Sequence, residues 1–398
     1  MAIQISNKIY YLGINDRKKY LFENNWPLPH GVSYNSYLIA DGQTALIDTL
    51  EYGSSPHYLQ NIEDMLLRRE LDYLIINHME PDHSGMIGEI MRRYPKIKVV
   101  GNSKTFKMIE AYFGATQNVM EVADGAELDL GYHKLKFVFT PWVHWPETMM
   151  TYDTTDRVLF SCDAFGSFGA LDGGIFDDEV DFDSFYKEEM LRYYANIVGK
   201  YSGMVQKAFA KLAETPLQYI CPSHGPIWRR DPLKVVGLYD QWSKYKAEEG
   251  VVIAFASMYG NTEQMADCIA RRVAEEGIKQ IRIYDVSKTH ISYILKDIWK
   301  YRGVILGSCA YNTGMHPIMQ HLCHELAVIA PKGKVYALFG SCSWSGGGVK
   351  TLQTFAQTTG WEEAVAPIEI MGAPTKEKLA PCANLAQAVI QKVKQHGA

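Results

Sequence analysis

The chain has 398 residues, which is more than one ordinary domain needs and enough for two. Hydrophobic residues make up 47% and charged residues 21% of it, so the composition indicates a globular protein and excludes a disordered one. The formal net charge of -5 provides no basic surface, and we therefore expect no nucleic-acid partner.

The lack of long apolar runs and the spacing of the cysteines indicate where the protein is located and which kinds of metal site it lacks. Neither the N-terminus nor any later stretch has the apolar run of a signal peptide or of a membrane span, which needs roughly 18 residues. We therefore expect a cytoplasmic protein without membrane contact. The seven cysteines are scattered singly, and an odd number without a CxxC pair argues against disulfides, a rubredoxin-type iron site and an iron–sulfur cluster.

The first half of the chain mixes strands with helices. Apolar runs predict strands at Ile9–Ile14, Tyr37–Ala40, Ala45–Leu50, Leu71–Asn77, Lys134–Thr140 and Met149–Phe160, the last of them interrupted by a polar turn. A further apolar run, Leu217–Cys221, comes later. Helical periodicity covers Pro56–Arg69 and Ser184–Ala213.

From Val251 onward, strands and helices alternate strictly. Five strands are predicted, at Val251–Ala256, Ile281–Tyr284, Val304–Leu306, Val335–Phe339 and Ala366–Ile370. Helical stretches such as Thr262–Glu276 separate them, and Lys376–Lys394 forms the last helix. This alternation is typical of a doubly wound parallel sheet. Because the segment Lys244–Gly250 is short and polar, we predict two domains, 1–249 and 250–398.

In the first half, potential metal ligands cluster where predicted strands end. Four of them fall within six residues directly after Leu71–Asn77, in a segment whose Pro81 interrupts any regular sheet. Burying so many ionisable groups together is costly unless a cation compensates them. Other candidates follow later strands, and we expect these strand ends to converge at one edge of a sheet. The predicted ligands are His78, Glu80, Asp82, His83, His144, Asp163 and His224.

In the second half, three loops at strand ends predict a cofactor site. The first, Ser257–Thr262, opens directly into a helix, whose N–H groups and dipole favour a phosphate. It lacks the second glycine of GxGxxG, which disfavours a dinucleotide. The other two loops combine an aromatic residue with small ones, which suits a flat ring. The predicted residues are Ser257, Met258, Tyr259, Gly260, Asn261, Thr262, Ser308, Ala310, Tyr311, Asn312, Gly314, Ser341, Cys342, Ser343, Trp344, Ser345, Gly346 and Gly347.

These motifs carry a family resemblance that covers nearly the whole chain. HMEPDH at residues 78–83, with His144, Asp163 and His224 at intervals of 61, 19 and 61 residues, resembles the metallo-β-lactamase superfamily in its flavodiiron branch. Hydrolases of that superfamily usually have histidine where this chain has Glu80. SMYGNT at residues 257–262 resembles the phosphate loop of flavodoxins. The resemblance implies a metallo-β-lactamase-like αββα sandwich followed by a flavodoxin-like, doubly wound parallel sheet of five strands.

The resemblance also implies cofactors, activity and partners. One iron would be held by His78, Glu80 and His144, the other by Asp82, His83 and His224, and Asp163 would bridge them. FMN would relay electrons from an external donor, such as rubredoxin, flavodoxin or a deazaflavin. The diiron site would then reduce O₂ to water, NO to N₂O, or both. Members of this family form head-to-tail dimers, so we expect a homodimer or a dimer of dimers.

Several alternatives stay open at this stage. Tyr193 matches a family tyrosine beside the metals that can donate a hydrogen bond or a proton, but a packing role alone also suits it. The segment Gly13–Glu23 departs from the aspartate–tryptophan motif of many relatives, so the resemblance predicts no preference between the gases. A di-zinc hydrolase with a flavodoxin appendage is opposed by Glu80, because mixed carboxylate and imidazole ligands suit redox-active iron. The complete ligand set opposes a non-enzymatic electron carrier.

Overall fold

The computed structural model describes residues 2–53, 56–114 and 117–395, and the chain divides into two compact units. The first unit comprises residues 1–194 and 201–240, and the second comprises residues 195–200 and 241–398. A strand of the second unit begins at Glu248, inside the segment Lys244–Gly250 in which we predicted the domain boundary. The domain limits 1–249 and 250–398 stay a prediction. Among the helices of the described residues, none combines the length and the apolarity needed to cross a bilayer.

Sixteen short strands precede residue 223 in the described part of the chain. They are β1 (Ile3–Ser6), β2 (Ile9–Tyr11), β3 (Ile14–Asp16), β4 (Leu21–Phe22), β5 (Trp26–Pro27), β6 (Val32–Tyr34), β7 (Tyr37–Ala40), β8 (Thr44–Ile47), β9 (Tyr73–Ile75), β10 (Lys98–Gly101), β11 (Val119–Glu121), β12 (Glu127–Asp129), β13 (Lys134–Phe139), β14 (Met149–Asp153), β15 (Val158–Cys162) and β16 (Tyr219–Pro222). The helices are α1 (Pro56–Leu66), α2 (Pro81–Ser84), α3 (Ile87–Arg93), α4 (Ser103–Phe113), α5 (Lys187–Tyr193), α6 (Ser202–Leu212) and α7 (Pro232–Ser243).

These strands form two main sheets. One has seven strands in the order β1-β2-β7-β8-β9-β10-β11, and the other has five in the order β12-β13-β14-β15-β16. Strands β8 to β11 run parallel, and the second sheet is antiparallel except for the β15–β16 pair. Strands β9, β14 and β15 are buried along their whole length, whereas β13 alternates between buried and exposed residues over its first half. The mainly apolar runs of β9 and β15 therefore mark strands covered on both faces, whereas β14 is buried although it includes Thr151 and Asp153.

Two predicted helices differ from the structure. The helix predicted over Pro56–Arg69 ends at Leu66, because Leu67 and Arg68 adopt left-handed backbone conformations with φ of 49° and 71°. The helix predicted over Ser184–Ala213 is interrupted between α5 and α6 by a π-helical turn at Tyr194–Val198 and a 3₁₀ turn that begins at Gly199. Glycine is a poor helix former, which fits an interruption at this place.

The second unit contains one main sheet. Its strands are β17 (Glu248–Ala256), β18 (Ile281–Asp285), β19 (Tyr301–Tyr311), β20 (Gly314–Met315), β21 (Val335–Cys342), β22 (Glu362–Glu363) and β23 (Ile368–Met371). Its helices are α8 (Asn261–Glu275), α9 (Ile291–Lys300), α10 (Pro317–Ile329), α11 (Gly348–Thr359) and α12 (Lys376–Gln395).

The strand order explains where this unit can bind a ligand. The parallel order is β18-β17-β19-β21, with β22 and β23 both paired to β21, so the five predicted parallel strands are present and the two-residue strand β22 adds a sixth. Buried residues of β17 such as Ile253 pack with Ile269 of α8 and Val389 of α12. The chain changes direction across the sheet between β17 and β19. Ligands of open α/β sheets bind at such a switch, at the carboxyl ends of the strands.

Candidate metal centre and flavin site

The seven predicted metal ligands come together from the two sheets of the first unit. The segment His78–His83 follows β9 of the seven-stranded sheet, and Pro81 begins the helical turn α2 within it. His144 lies beyond β13, Asp163 directly follows β15, and His224 lies just beyond β16, all in the five-stranded sheet. The expectation of a single sheet edge was therefore wrong. The local signal marked strand ends but contained nothing about which sheet each strand joins.

A first group of ligand atoms contains His78, Glu80, His144 and Asp163. All four side chains are buried, and one ligand atom from each lies within 4.8 Å of the others. The Nε2 atom of His144 is 3.0 Å from Glu80 Oε2 and 3.2 Å from Asp163 Oδ2. The Nε2 atom of His78 is 3.3 Å from each of the same two oxygens. Two imidazoles and two carboxylates thus converge on a space of the size that one cation needs.

A second group contains Asp82, His83 and His224, which are also buried and within 4.8 Å of one another. His83 Nε2 lies 2.9 Å from Asp163 Oδ1, and His224 Nε2 lies 3.5 Å from the same oxygen. Asp82 Oδ2 is 3.3 Å from both histidine nitrogens. Asp163 therefore presents Oδ2 to the first group and Oδ1 to the second. This is the arrangement of a carboxylate that can bridge two cations.

The electrostatics of this cluster fit a pair of cations. Both carboxylate oxygens of Asp82, Oδ2 of Asp163 and Nε2 of His144 and of His224 are buried and make no hydrogen bond among the described residues. Burial alone would lower the pKa of His224, but Asp163 and Asp82 raise it to about 10. Burial is likewise outweighed at His144, whose pKa Asp163 and Glu80 raise to about 9. Buried polar atoms normally have partners, and metal ions bound to these oxygens and nitrogens would provide the positive charge that satisfies them.

Two histidine rings are oriented by bonds on their far side. His78 Nδ1 lies 2.8 Å from Glu147 Oε1, and His224 Nδ1 lies 2.8 Å from the carbonyl oxygen of Ser33. Both bonds leave Nε2 to face the cluster, which is how ligating histidines are usually held. Neither Glu147 nor Ser33 was singled out from the sequence. A carboxylate three residues after His144 was the only local signal for Glu147.

Aromatic residues cover the second ligand group. The rings of Phe22, Tyr34 and Tyr193 lie 5.3, 5.5 and 5.5 Å from the ring of His224. The hydroxyl of Tyr193 is buried and has no hydrogen-bond partner among the described residues. Burial, and then the negative charges of Asp163 and the other carboxylates, raise the pKa of Tyr193 well above its usual range. Tyr193 is therefore neutral and holds a proton that it can donate in a hydrogen bond.

The divergent N-terminal segment also reaches the cluster. Much of Glu23 is exposed, yet its carboxyl group accepts a hydrogen bond of 2.9 Å from Trp26 Nε1 and lies close enough to Glu80 to interact with it. Desolvation of this carboxyl group and the charge of Glu80 raise the pKa of Glu23 to about 7. The sequence had marked this segment only as a departure from relatives. The structure places Phe22 and Glu23 beside the candidate ligands.

The three predicted loops of the second unit line one pocket at the carboxyl ends of β17, β19 and β21. The predicted residues that line it are Ser257, Met258, Tyr259, Asn261, Ala310, Asn312, Ser341, Cys342, Ser343, Trp344, Ser345 and Gly346. Six others do not line it, namely Gly260, Thr262, Ser308, Tyr311, Gly314 and Gly347. Cys309 and Thr313 also line it and were missed. Cys309 stands between the predicted pocket residues Ser308 and Ala310 in the sequence.

Several of the residues outside the pocket shape its loops instead. The hydroxyl oxygens of Thr262 and Ser341 are 2.8 Å apart, which joins the first loop to the third. Gly347 has a φ of 106°, and a Cβ there would lie 2.1 Å from the carbonyl oxygen of Thr313, so only glycine allows these loops to approach. The amide of Gly260 donates to Ser257 Oγ at 3.0 Å, directly before α8 begins. The first turn of α8 thus opens into the pocket, where its amides and dipole favour an anion.

Fold and site together define a class of protein, in which a metallo-β-lactamase-like unit with a paired metal-ligand cluster is joined to a flavodoxin-like unit with a pocket at the carboxyl ends of its strands. The family model described as ODP family beta lactamase matches residues 32–225, and the flavodoxin model matches residues 253–385. The chain belongs to the flavodiiron protein family and is an oxidoreductase of the flavodiiron type. The predicted family and fold class are confirmed. The flavodoxin domain implies FMN, and the buried clusters together with the relatives suggest a diiron centre.

Three relatives support the assignment of the chain to the flavodiiron protein family. The chain is 34% identical over 388 residues to the anaerobic nitric oxide reductase flavorubredoxin of Escherichia coli (strain K12 / DH10B), covering 96% of this chain and 80% of the relative. Rubredoxin oxygen:oxidoreductase from Desulfovibrio gigas superposes with a TM-score of 0.96 at 29% identity, covering both chains fully. The flavodiiron protein from Giardia intestinalis superposes with a TM-score of 0.95 at 25% identity, covering 100% of this chain and 97% of that one.

Proposed function

We propose that this chain reduces O₂ to water, NO to N₂O, or both, at a pair of irons, with electrons that an external donor delivers through FMN. The observation that carries the proposal is the bridging arrangement of Asp163, whose two oxygens face two separate ligand groups. One relative is named a nitric oxide reductase and another an oxygen:oxidoreductase, which supports both gases. The iron pair and FMN, when bound, would supply the redox chemistry through which the donor's electrons reach the gas.

The proposed ligand assignment follows the two groups. His78, Glu80 and His144 would hold one iron, Asp82, His83 and His224 the other, with Asp163 shared. Each iron then has two imidazoles and one carboxylate besides the bridge, a mixed set that suits redox-active non-haem iron. Tyr193 would donate a hydrogen bond from its hydroxyl toward the centre, since that hydroxyl is buried, protonated and without another partner among the described residues.

For FMN, we propose that its phosphate binds at the N-terminus of α8 and its ring between the later loops. Asn261 is the first residue of α8 and lines the pocket, and Trp344 of the third loop lines it as well. The exposed aromatic face of Trp344 can stack on a flat ring. The donor is proposed to be rubredoxin, because two relatives carry that protein in their names; flavodoxin and a deazaflavin are the alternatives.

The proposal is tested on protein purified without oxygen. Each chain should contain two irons and one FMN, and with reduced rubredoxin it should consume O₂, NO or both, as followed with gas electrodes. Protein with full iron and FMN that consumes neither gas would contradict the proposal. Two zincs together with hydrolysis of a thioester or a lactam would establish the hydrolase alternative instead.

We also propose a head-to-tail homodimer, or a dimer of such dimers, in which the flavin of one chain serves the metals of its partner. Tyr259 and Trp344 of the flavin loops are 92% and 79% exposed in the single chain, as expected of aromatic residues that a second copy covers. The test combines His224→Ala, which damages the metal centre, with Asn261→Glu, which repels phosphate.

Differently tagged copies allow the mixed dimer to be isolated. If flavin serves the partner's metals, the mixed dimer has one intact composite site and should show roughly half the wild-type turnover, although each parent variant is inactive. If flavin serves the metals of its own chain, both sites of the mixed dimer are damaged and it should be inactive. An inactive mixed dimer with full FMN and iron in the undamaged sites would therefore exclude the head-to-tail arrangement.

A further inference from the structure

The two candidate metal positions have matching direct ligands. Each group has two imidazoles and one carboxylate of its own, and each receives one oxygen of Asp163. Ligand type and number therefore give neither position an advantage in affinity. Any difference between them has to come from the residues behind the ligands, which tune the basicity and orientation of the ligating atoms.

Behind the first group stands a buried carboxylate. Glu147 Oε1 lies 2.8 Å from His78 Nδ1, and neither side chain is exposed to solvent. The backbone amide of Met79 donates to the same oxygen at 2.9 Å, and Asn102 Nδ2 donates to the carbonyl oxygen of Glu147 at 2.6 Å. Glu147 is thus held at both its side chain and its backbone. Its carboxylate belongs to neither group of converging ligand atoms.

Behind the second group there is no such carboxylate among the described residues. His224 Nδ1 is bonded to the neutral carbonyl of Ser33 at 2.8 Å. His83 Nδ1 is buried and has no hydrogen-bond partner among the described residues. The buried carboxylate of Asp48 accepts hydrogen bonds from the backbone and side-chain amides of Asn77, at 2.7 and 3.1 Å, and none from His83 Nδ1. The hydrogen-bond partners behind the histidines therefore distinguish two positions that the direct ligands leave alike.

We propose that Glu147 is a positioning residue that makes the His78 position the tighter of the two metal sites, so that the two metals load in a fixed order. A carboxylate hydrogen-bonded to one imidazole nitrogen fixes the tautomer whose other, unprotonated nitrogen faces the metal. It also makes that nitrogen more basic, so that its lone pair binds the metal more strongly. This inference rests on the proposed function, because it takes the seven ligands to hold two metals. It adds an order and an affinity difference that the ligand assignment alone does not contain.

The test is a titration of the full-length chain, freed of metal by chelation, with Co²⁺ under anaerobic conditions. Calorimetry measures the affinity of each step, and the visible absorption of Co²⁺ reports the geometry of the occupied site. The wild type should bind two ions in two resolved steps. Glu147→Gln should weaken the tighter step by about 10- to 100-fold and leave the weaker step unchanged. Glutamine keeps an oxygen for both hydrogen bonds, so this variant removes the charge without removing the contact.

Matched variants separate this role from general effects. Glu127→Gln removes one charge from an exposed position of β12 and should keep both steps. His144→Ala should abolish the tighter step, whereas His224→Ala should preserve it and abolish the weaker one. These two variants assign the steps even if Glu147→Gln fails to fold, since they need no change at Glu147.

The outcomes distinguish this inference from the proposed function. Two equal steps in the wild type, or a tighter step that survives His144→Ala, would overturn the inference and leave the diiron function standing. Two resolved steps assigned as expected, in a protein that reduces neither gas when loaded with iron and FMN, would support the metal order and contradict the proposed function. Binding of one ion or none would refute the ligand assignment and the inference with it.

Discussion

Replacing His224 by alanine removes one ligand from the second metal position only. That position would keep Asp82, His83 and one oxygen of Asp163, while the first position would keep its whole ligand set. We expect the metal content to fall from two ions per chain to one. FMN should stay bound, because its pocket is formed by residues of the other compact unit.

The size of the effect follows from the contacts of His224. Loss of a residue behind a ligand costs about 10- to 100-fold in metal affinity, and loss of a ligand itself should exceed that, so the second metal should bind at least 100-fold more weakly, about 2.8 kcal/mol. The metal-free protein is also affected. Asp163 keeps His83 at 2.9 Å and His144 at 3.2 Å, but Asp82 keeps only His83 at 3.3 Å. Leaving one buried carboxylate short of a partner should destabilise the metal-free protein by about 3 kcal/mol.

The assay measures iron by mass spectrometry, FMN by its absorbance after release, and turnover with each gas. His321→Ala, at an exposed position of α10, is the matched control and should keep two irons, FMN and full activity. A His224→Ala protein that retains two tightly bound irons and full turnover would refute the assignment of His224 as a ligand.

Three further predictions concern other parts of the chain. Asn261→Glu should fold normally, because an acidic residue suits the first turn of α8, but it should repel phosphate and yield protein with iron and little FMN. Asn261→Gln is the control. Unchanged FMN content in the glutamate variant would contradict the phosphate site. Tyr193→Phe should leave metal content and stability unchanged, since the hydroxyl has no partner among the described residues. It should lower turnover about tenfold, because the proposed hydrogen bond toward the metal centre is lost. Full turnover would establish a packing role alone. His133 is hydrogen-bonded through Nδ1 to Asp153 at 3.0 Å and through Nε2 to the carbonyl oxygen of Asn7 at 2.7 Å, so both nitrogens donate and the ring is charged. Burial lowers the pKa of His133, but the hydrogen bond and charge of Asp153 outweigh it and raise the pKa. The stability from this pair is present in full below the unfolded-state pKa of about 6.5 and is lost as pH rises through the higher folded pKa, so His133→Ala should cost about 3 kcal/mol in urea unfolding at pH 6 and progressively less in alkaline solution. An equal cost at both ends of the range would contradict the charged pair.

The elements that the sequence predicted well are those whose signal is local. Tyr37–Ala40 was predicted with both of its limits, and the five predicted strands of the second unit are present with one or both ends shifted, whereas the two-residue strand β22 was missed. Apolar runs record burial on both faces of a strand, which depends little on the rest of the chain. The motif at residues 78–83 and the loop at residues 257–262 are local in the same sense, because neighbouring residues at one strand end remain neighbours in any fold.

Only the tertiary structure decided which atoms meet. The sequence contained Asp163 as a candidate ligand, but not that its two oxygens face different ligand groups or that these groups draw on two sheets. No sequence pattern identified Glu147 or Glu23 as part of the site. The structure places Glu147 behind His78 and Glu23 beside Glu80. The physical reason is that periodicity along the chain reports how buried a residue is, whereas its partners depend on strand order and loop closure between residues far apart in sequence, which no local pattern contains.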